Sequence, residues 1–274
     1  MHEESTAIAK TAEFATKVVE TVAPFLAPLQ ARAEVRAEKI RARGRNEVAE
    51  IEDKGLEERA MRRLQVTEAR RQRNIEQVCE QARALPPGGG IAADPVDEDW
   101  VASFLGHCSD VSNERMQTVW ARILAGEVAK PGSFSLLTLS TIRLLSFKDA
   151  ELFTRFCSYV WQTPDGPVPV YIDDMLPGSG TSGLGMPDLM NLRSLNLITY
   201  ESSSIWEWNS RAESTEVSYY GRRYKLRSPG KHVELTTEVF LTGVGAQLFP
   251  IAGGEPDERY RAQVVTSWAG GQLE

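Results

Sequence analysis

Between Pro28 and Pro86 the chain has no proline, and the interval is filled with alanine, glutamate, arginine and glutamine. These are strong helix formers, so the composition predicts helix from about Glu13 to Leu85. Pro86-Pro87-Gly88-Gly89-Gly90 then stops it. Proline has no amide proton to donate, and glycine holds helical geometry only at a cost. A charged helical arm over 1–86 and a linker over 87–93 are expected.

The arm's apolar content is thin. Ile40 and Ile51 are eleven residues apart, as are Leu64 and Ile75, the spacing of a straight or slightly right-handed packed helix. Ile75, Val78, Ala82 and Leu85 follow a 3–4–3 pattern, a short coiled-coil seam. A stripe this narrow gains little by folding alone. Ile40, Ile51, Leu64, Ile75, Val78 and Leu85 are therefore the candidate oligomerisation residues. Residues 13–85 are expected to pair with a second copy or a partner protein, with breaks near Gly44 and Gly55.

Charge is unevenly placed in a chain of net charge −7. Residues 1–86 carry 16 basic and 15 acidic side chains, and Arg32–Arg45 alone holds six basic and two acidic ones. Residues 87–274 carry 15 basic against 23 acidic, which disfavours wrapping nucleic acid over the whole surface. The apolar run Val22–Leu29 is interrupted by Pro24 and Pro28 and is far shorter than a bilayer requires. No basic segment leads into an apolar one at the start, so a cytoplasmic location without a transmembrane span is expected. Val18, Val19, Val22, Phe25, Leu26 and Leu29 leave peripheral membrane contact as a further alternative. Cys79, Cys108 and Cys157 are too sparse for a disulfide framework or a zinc site.

Residues 94–162 read as a helical bundle. Trp100, Phe104, His107 and Cys108 share one helical face, so His107 reads as a core or boundary histidine. Ser112 is the expected cap of the next helix, whose stripe is Met116, Trp120, Ile123 and Leu124, with Gly126 as its stop. Ser133 or Ser135 would cap a third, and Ser146 with Asp149 a fourth that carries Leu152, Phe153, Phe156 and Val160. Beyond Trp161 the period changes to two: Val168, Val170 and Ile172 alternate as a strand. A helix over Pro187–Leu195, a strand over Leu197–Tyr200 and strand-like runs near Val217–Leu226 and Val233–Leu241 follow. Thr242 caps a short helix, and Pro256 with Asp257 opens the last, carrying Tyr260, Val264 and Trp268. Helix, strand and long hairpin in this order resemble a winged helix over 163–274. The fold class expected is α+β and mostly helical.

Few residues suggest chemistry. Gly178, Gly180, Gly183 and Gly185 have dinucleotide-fingerprint spacing, but Pro177 and Pro187 deny it the flanking strand and helix that bind a pyrophosphate. Asp173-Asp174 at a strand end is a turn more readily than a magnesium or acid–base pair. No catalytic residue, metal or cofactor is expected. The stronger signal is a basic–aromatic run of Arg222, Arg223, Tyr224, Lys225, Arg227 and Lys231. On a strand Arg223, Lys225 and Arg227 would share one face and Tyr224 the other. The favoured reading is a solvated face paired with Glu213, Glu216 and Glu234, and the alternative a ribbon suited to nucleic acid or an acidic partner.

Val111–Glu127, with its Trp-Ala-Arg-Ile-Leu core, followed by Pro131-Gly132-Ser133-Phe134-Ser135 and the leucine-rich helix to Ala150, resembles the bacterial domain-of-unknown-function family DUF2806. Leu241-Thr242-Gly243 with Gly245 and Leu248 is similar to the ending of that group and of the abortive-infection alpha family. The resemblance spans roughly 96–253 and implies a bacterial accessory protein with kinship to phage defence. It transfers no catalytic residue. The expected protein is non-enzymatic, assembling through its arm and binding a partner or trigger through its C-terminal unit. A DNA-binding regulator, reading a groove with the 187–196 helix and using 217–241 as its wing, is the less favoured alternative.

Overall fold

The protein's structure, a computed structural model, describes residues 9–25, 50–86, 92–170, 184–200, 206–208, 214–227, 233–235 and 239–269. These residues are mostly helical with short antiparallel strands, an α+β fold. The chain divides into two units, 1–139 and 140–274.

The first unit is built of helices. Helix α1 covers 9–25 and turns Phe14, Val18 and Val22 inward. Val18 and Val22 are thus covered within the unit, Val19 is exposed and Phe25 half-buried, and Leu26 and Leu29 lie outside the described residues. Among the described residues no helix is long and apolar enough to cross a membrane. Helix α2 (Glu50–Ala84) has 35 residues and runs through Gly55 without a break, since one glycine costs only about 1 kcal/mol in so long a helix. The expected break at Gly44 lies outside the described residues.

The second half of α2 packs on α4 (Glu114–Ala129) and on α3 (Glu98–Cys108). Asn113, and not Ser112, caps α4, accepting from the amides of Arg115 and Met116 at 3.1 Å. The Ser112 hydroxyl instead accepts from Asn74 of α2 at 3.1 Å. Gly126 does not stop α4, which runs on to Ala129. A Cβ there would stand 2.8 Å from the Phe134 ring, so glycine is required for close approach. Trp100, Phe104 and Cys108 fill the core as their spacing implies, with Phe104 edge-on to Trp120 at 5.5 Å and His107 half-buried beside that indole. Helix α5 (Leu136–Leu144) crosses the boundary between the units.

In the second unit α6 (Phe147–Cys157) starts on the expected capping box of Ser146 and Asp149. It ends earlier than its apolar pattern suggests, because Val160 belongs to β1 (Val160–Thr163). That strand joins β2 (Gly166–Pro169), β5 (Ser214–Tyr219) and β6 (Arg222–Arg227) in an antiparallel sheet of order β2-β1-β5-β6. Helix α7 (Met186–Ser194) is followed by β3 (Ile198–Tyr200), which pairs with β8 (Val239–Leu241). Strand β4 (Trp206–Trp208) pairs with β7 (Val233–Leu235). The run near Val217–Leu226 is therefore two strands rather than one. Tyr220 and Gly221 both take positive φ, 46° and 79°, and this two-residue turn matches the twist of the flanking strands. Thr242 caps α8 (Gly243–Leu248) as expected, followed by the 3-10 turn Phe249–Ile251 and by α9 (Glu258–Ala269), which buries Tyr260 and Val264.

Candidate functional site

The β5–β6 hairpin brings together most of the basic–aromatic run. Register places Arg222 opposite Tyr219, Arg223 opposite Ser218, Tyr224 opposite Val217 and Lys225 opposite Glu216. Alternation then divides the side chains: Tyr224 is half-buried and Leu226 buried, while Arg223 and Lys225 are exposed on the other face. Arg227 stands in β6 opposite Ser214, its side chain outside the described set, and Lys231 lies outside it altogether.

The inner face is aromatic. Trp161 lies 4.9 Å from Tyr219 and 5.4 Å from Tyr224, centroid to centroid, and Tyr260 packs on Tyr159 and Tyr219. Tyr260 Oη accepts from Trp161 Nε1 at 3.1 Å and donates to the Val170 carbonyl at 2.7 Å. The Tyr219 hydroxyl donates to the Ser158 carbonyl and accepts from the Asp257 amide, both at 2.9 Å. Burial pushes that phenol well above its usual range, so it stays neutral and serves as a buried tie.

Carboxylates meet two of the hairpin's cations, Arg222 on the face of Tyr224 and Arg223 on the other. Arg222 pairs with Glu258 at 3.0 Å and Arg223 with Glu216 at 3.5 Å, all four largely in solvent. Glu258 is held by Arg261 at 2.7 Å, and Arg261 donates to the Tyr224 hydroxyl at 3.0 Å. The hydrogen bond from Arg261, with Arg222 nearby, lowers the Glu258 carboxyl below its usual range. Lys225 has no carboxylate partner among the described residues. Glu258 and Arg261 were not foreseeable at this site, because they arrive from a helix more than thirty residues away. Tyr220 could have been noticed: Tyr-Gly between two alternating runs is a weak form of the turn signal that Asn-Gly gives strongly.

The oligomerisation residues separate into two groups. Ile75 and Val78 are buried in the first unit, where α2 packs on α4, whereas Leu64 and Leu85 keep part of their surface in solvent. Leu56 and Val66 add exposed apolar surface on the same helix. Ile40 and the side chain of Ile51 lie outside the described residues.

The two sequence motifs are architectural. Glu127, buried in α4, accepts from the backbone amides of Gly132 at 2.6 Å and Phe134 at 2.9 Å, and Trp100 Nε1 donates to the Phe134 carbonyl at 2.6 Å. The turn after α4 is thus fastened from both sides. Burial raises the Glu127 carboxyl, and the amides of Gly132, Phe134 and Ser133 oppose that only in part. In the second motif the Thr242 hydroxyl accepts from Gly245 at 3.0 Å, and a Cβ on Gly245 would stand 2.0 Å from the Leu197 carbonyl oxygen. The three cysteines are buried free thiols, and burial lifts Cys79 to about 11. Asp173, Asp174 and the glycines from 178 to 183 lie outside the described residues. Asp188 caps α7, accepting from the Gly185 amide at 2.8 Å. The family described as protein of unknown function (DUF2806) matches the chain over residues 58–265. No curated protein and no solved structure matches it.

Proposed function

The chain belongs to the DUF2806 family, and from that premise we propose that it is a non-enzymatic bacterial accessory protein of phage defence or stress response. It assembles through its helical arm and binds a partner or trigger through its C-terminal unit. The observation that carries this reading is the two-faced β6 strand. Its inner face is locked to Trp161 and, through Tyr224, to Arg261, while Arg223 and Lys225 stand in solvent. A rigid edge strand with cations outside is a platform for an acidic polypeptide, and nothing in it resembles a nucleophile with its base. Kinship with phage defence rests on the Leu241–Leu248 ending. Assembly rests on Leu56, Leu64 and Val66, which keep apolar surface on a helix otherwise covered with charge.

A second reading, the winged-helix DNA-binding regulator, is favoured by one specific feature: α7 is followed directly by β3, which pairs with β8 as a wing strand would. One experiment decides between them. The protein is titrated against duplex DNA over a range of salt, beside an Arg223→Glu/Lys225→Glu variant, with mass followed by light scattering. The lead reading expects no duplex binding at physiological salt and a mass several times that of the 30.4 kDa chain. It also expects that mass to fall when Leu56, Leu64 and Val66 are changed to serine. Salt-steep duplex binding whose slope drops by about two in the variant would install the regulator instead.

A further inference from the structure

We propose that a groove in the first unit, between the start of α3 and the turn after α4, docks a polypeptide segment that carries arginine or lysine beside aliphatic side chains. The groove encloses about 750 Å³, and Pro95, Val96, Pro131 and Leu136 line it. Leu136 leaves 50% of its surface in solvent, a large apolar side chain held open at the groove's edge.

The floor is rigid. Glu127 and Trp100 fasten the 132–134 turn from both sides, so the groove does not collapse onto the exposed leucine. The Trp100 and Phe134 rings are almost fully buried beneath it, so an occupant lies along the groove rather than inserting a ring into it.

The charge at the rim selects the occupant. Asp97 and Glu98 line the groove, Asp94 and Asp99 are exposed beside them, and no lysine or arginine lines it among the described residues. Lys17 is engaged with the carbonyls of Ala92 and Asp94, and among the described residues Lys130, next to the lining Pro131, is an exposed cation close by in sequence. The start of α3 contributes only about half a positive charge, which three carboxylates in its first turn and cap outweigh. A bare metal ion does not suit the rim. Asp97 is committed to the Trp100 amide at 2.8 Å, and no cluster of metal-ligating side chains exists among the described residues. Apolar walls with an acidic rim instead match a chain whose aliphatic side chains meet Leu136 and Val96 while its cations meet Asp97 and Glu98.

The protein's own stretch Arg32–Arg45, with Val35 and Ile40 among six basic residues, has this chemistry and supplies the probe. A synthetic peptide of residues 31–46 is titrated into the full chain by calorimetry at low and high salt. Saturable binding is expected, weakened several-fold between about 50 and 300 mM salt, because exposed pairs are screened beyond a Debye length. Glu98→Gln should weaken it about three-fold, the range that one exposed ion pair allows. Leu136→Ser should weaken it similarly, with the melting temperature unchanged because the side chain is half in solvent. The proposal is overturned by no saturable binding at millimolar peptide, by equal binding to the parent and both variants, or by equal binding of a peptide whose arginines and lysine are replaced by glutamate.

Discussion

The two units bury polar groups in different ways. In the first, α2 meets α4 through side-chain amides. Asn74 donates to the Ser109 carbonyl at 2.8 Å, and Gln117 donates to the Val111 carbonyl at 2.9 Å and to Gln77 at 3.0 Å. The matching is incomplete: Gln117 Oε1 and Trp120 Nε1 are buried without a hydrogen-bond partner among the described residues. In the second, each phenol at the centre of the aromatic cluster both accepts and donates, and Trp161 has its partner in Tyr260. Neutral amide bonds contribute about 1 kcal/mol each, while a buried group left unmatched costs about 1–3 kcal/mol. The helical unit thus uses polar contacts to fix the register of α2 on α4 and tolerates a deficit. The sheet unit uses them to tie a helix, two strands and a loop into one network.

Tryptophan substitutions test that contrast most strongly. Trp120→Ala and Trp161→Ala should each cost about 3–5 kcal/mol in urea unfolding, since both indoles are fully buried. Phenylalanine separates them. Trp161→Phe removes the donor to the Tyr260 hydroxyl oxygen, which keeps its own bond to the Val170 carbonyl. It should cost about 1 kcal/mol more than Trp120→Phe, which breaks no hydrogen bond among the described residues. Equal costs for the two phenylalanine variants would show that the difference in polar matching has no energetic consequence. A Trp120→Ala protein that melts like its parent would place that indole in a binding surface rather than the core.

Glycine substitutions come next in size. Gly245→Ala drives a methyl to 2.0 Å from the Leu197 carbonyl oxygen, so backbone must move, and a loss of about 3 kcal/mol is expected. Gly126→Ala meets the tip of the Phe134 ring at 2.8 Å, which can tilt, and about 1–2 kcal/mol is expected. Thermal melts of the two variants check the order. A larger loss at Gly126 would mean that the turn fastened by Glu127 has less room to give than the seat of α8.

Helices were legible where period and cap agreed. Ser146 with Asp149 and Thr242 before Gly245 mark real helix starts, because a side-chain cap is a local interaction that sequence spacing determines. Ser112 was misleading for the same reason: two adjacent residues could cap α4, and a contact from Asn74, thirty-eight positions away, takes the serine. Gly126 looked like a stop because its neighbour Phe134 is invisible to a helical wheel. Val160 continues the apolar pattern of α6 yet starts a strand, since the four-residue step from Phe156 fits either period at a boundary. The two faces of β6 followed from alternation alone. Of its carboxylate partners Glu216, a few residues away, was legible and pairs with Arg223, whereas Glu258 was not, because it comes from a distant helix.

The smallest expected effects are in pH dependence, and there the two units should differ in sign. Glu127, in the first, is raised by burial despite three backbone amides. A raised acid contributes stability that is fully present below its ordinary value and is lost as pH rises through the raised one. Asp149, in the second, is pulled up by burial but held lower overall by the Ser146 hydroxyl, the Asn191 amide and the Ser146 backbone. A lowered acid contributes stability that is present above its ordinary value and is lost as pH falls through the lowered one. Each variant is therefore compared with the parent at two pH values, so that acid effects common to both proteins cancel. The parent's advantage over Glu127→Gln should be larger near pH 4 than at pH 7, and its advantage over Asp149→Asn larger at pH 7 than near pH 3. Asp149 is half-buried at the surface, so its change should stay below about 1 kcal/mol after screening. If the parent's advantage over Glu127→Gln instead grew with pH, as that over Asp149→Asn should, the backbone amides would outweigh burial and the ionised Glu127 would be the form that fastens the 132–134 turn.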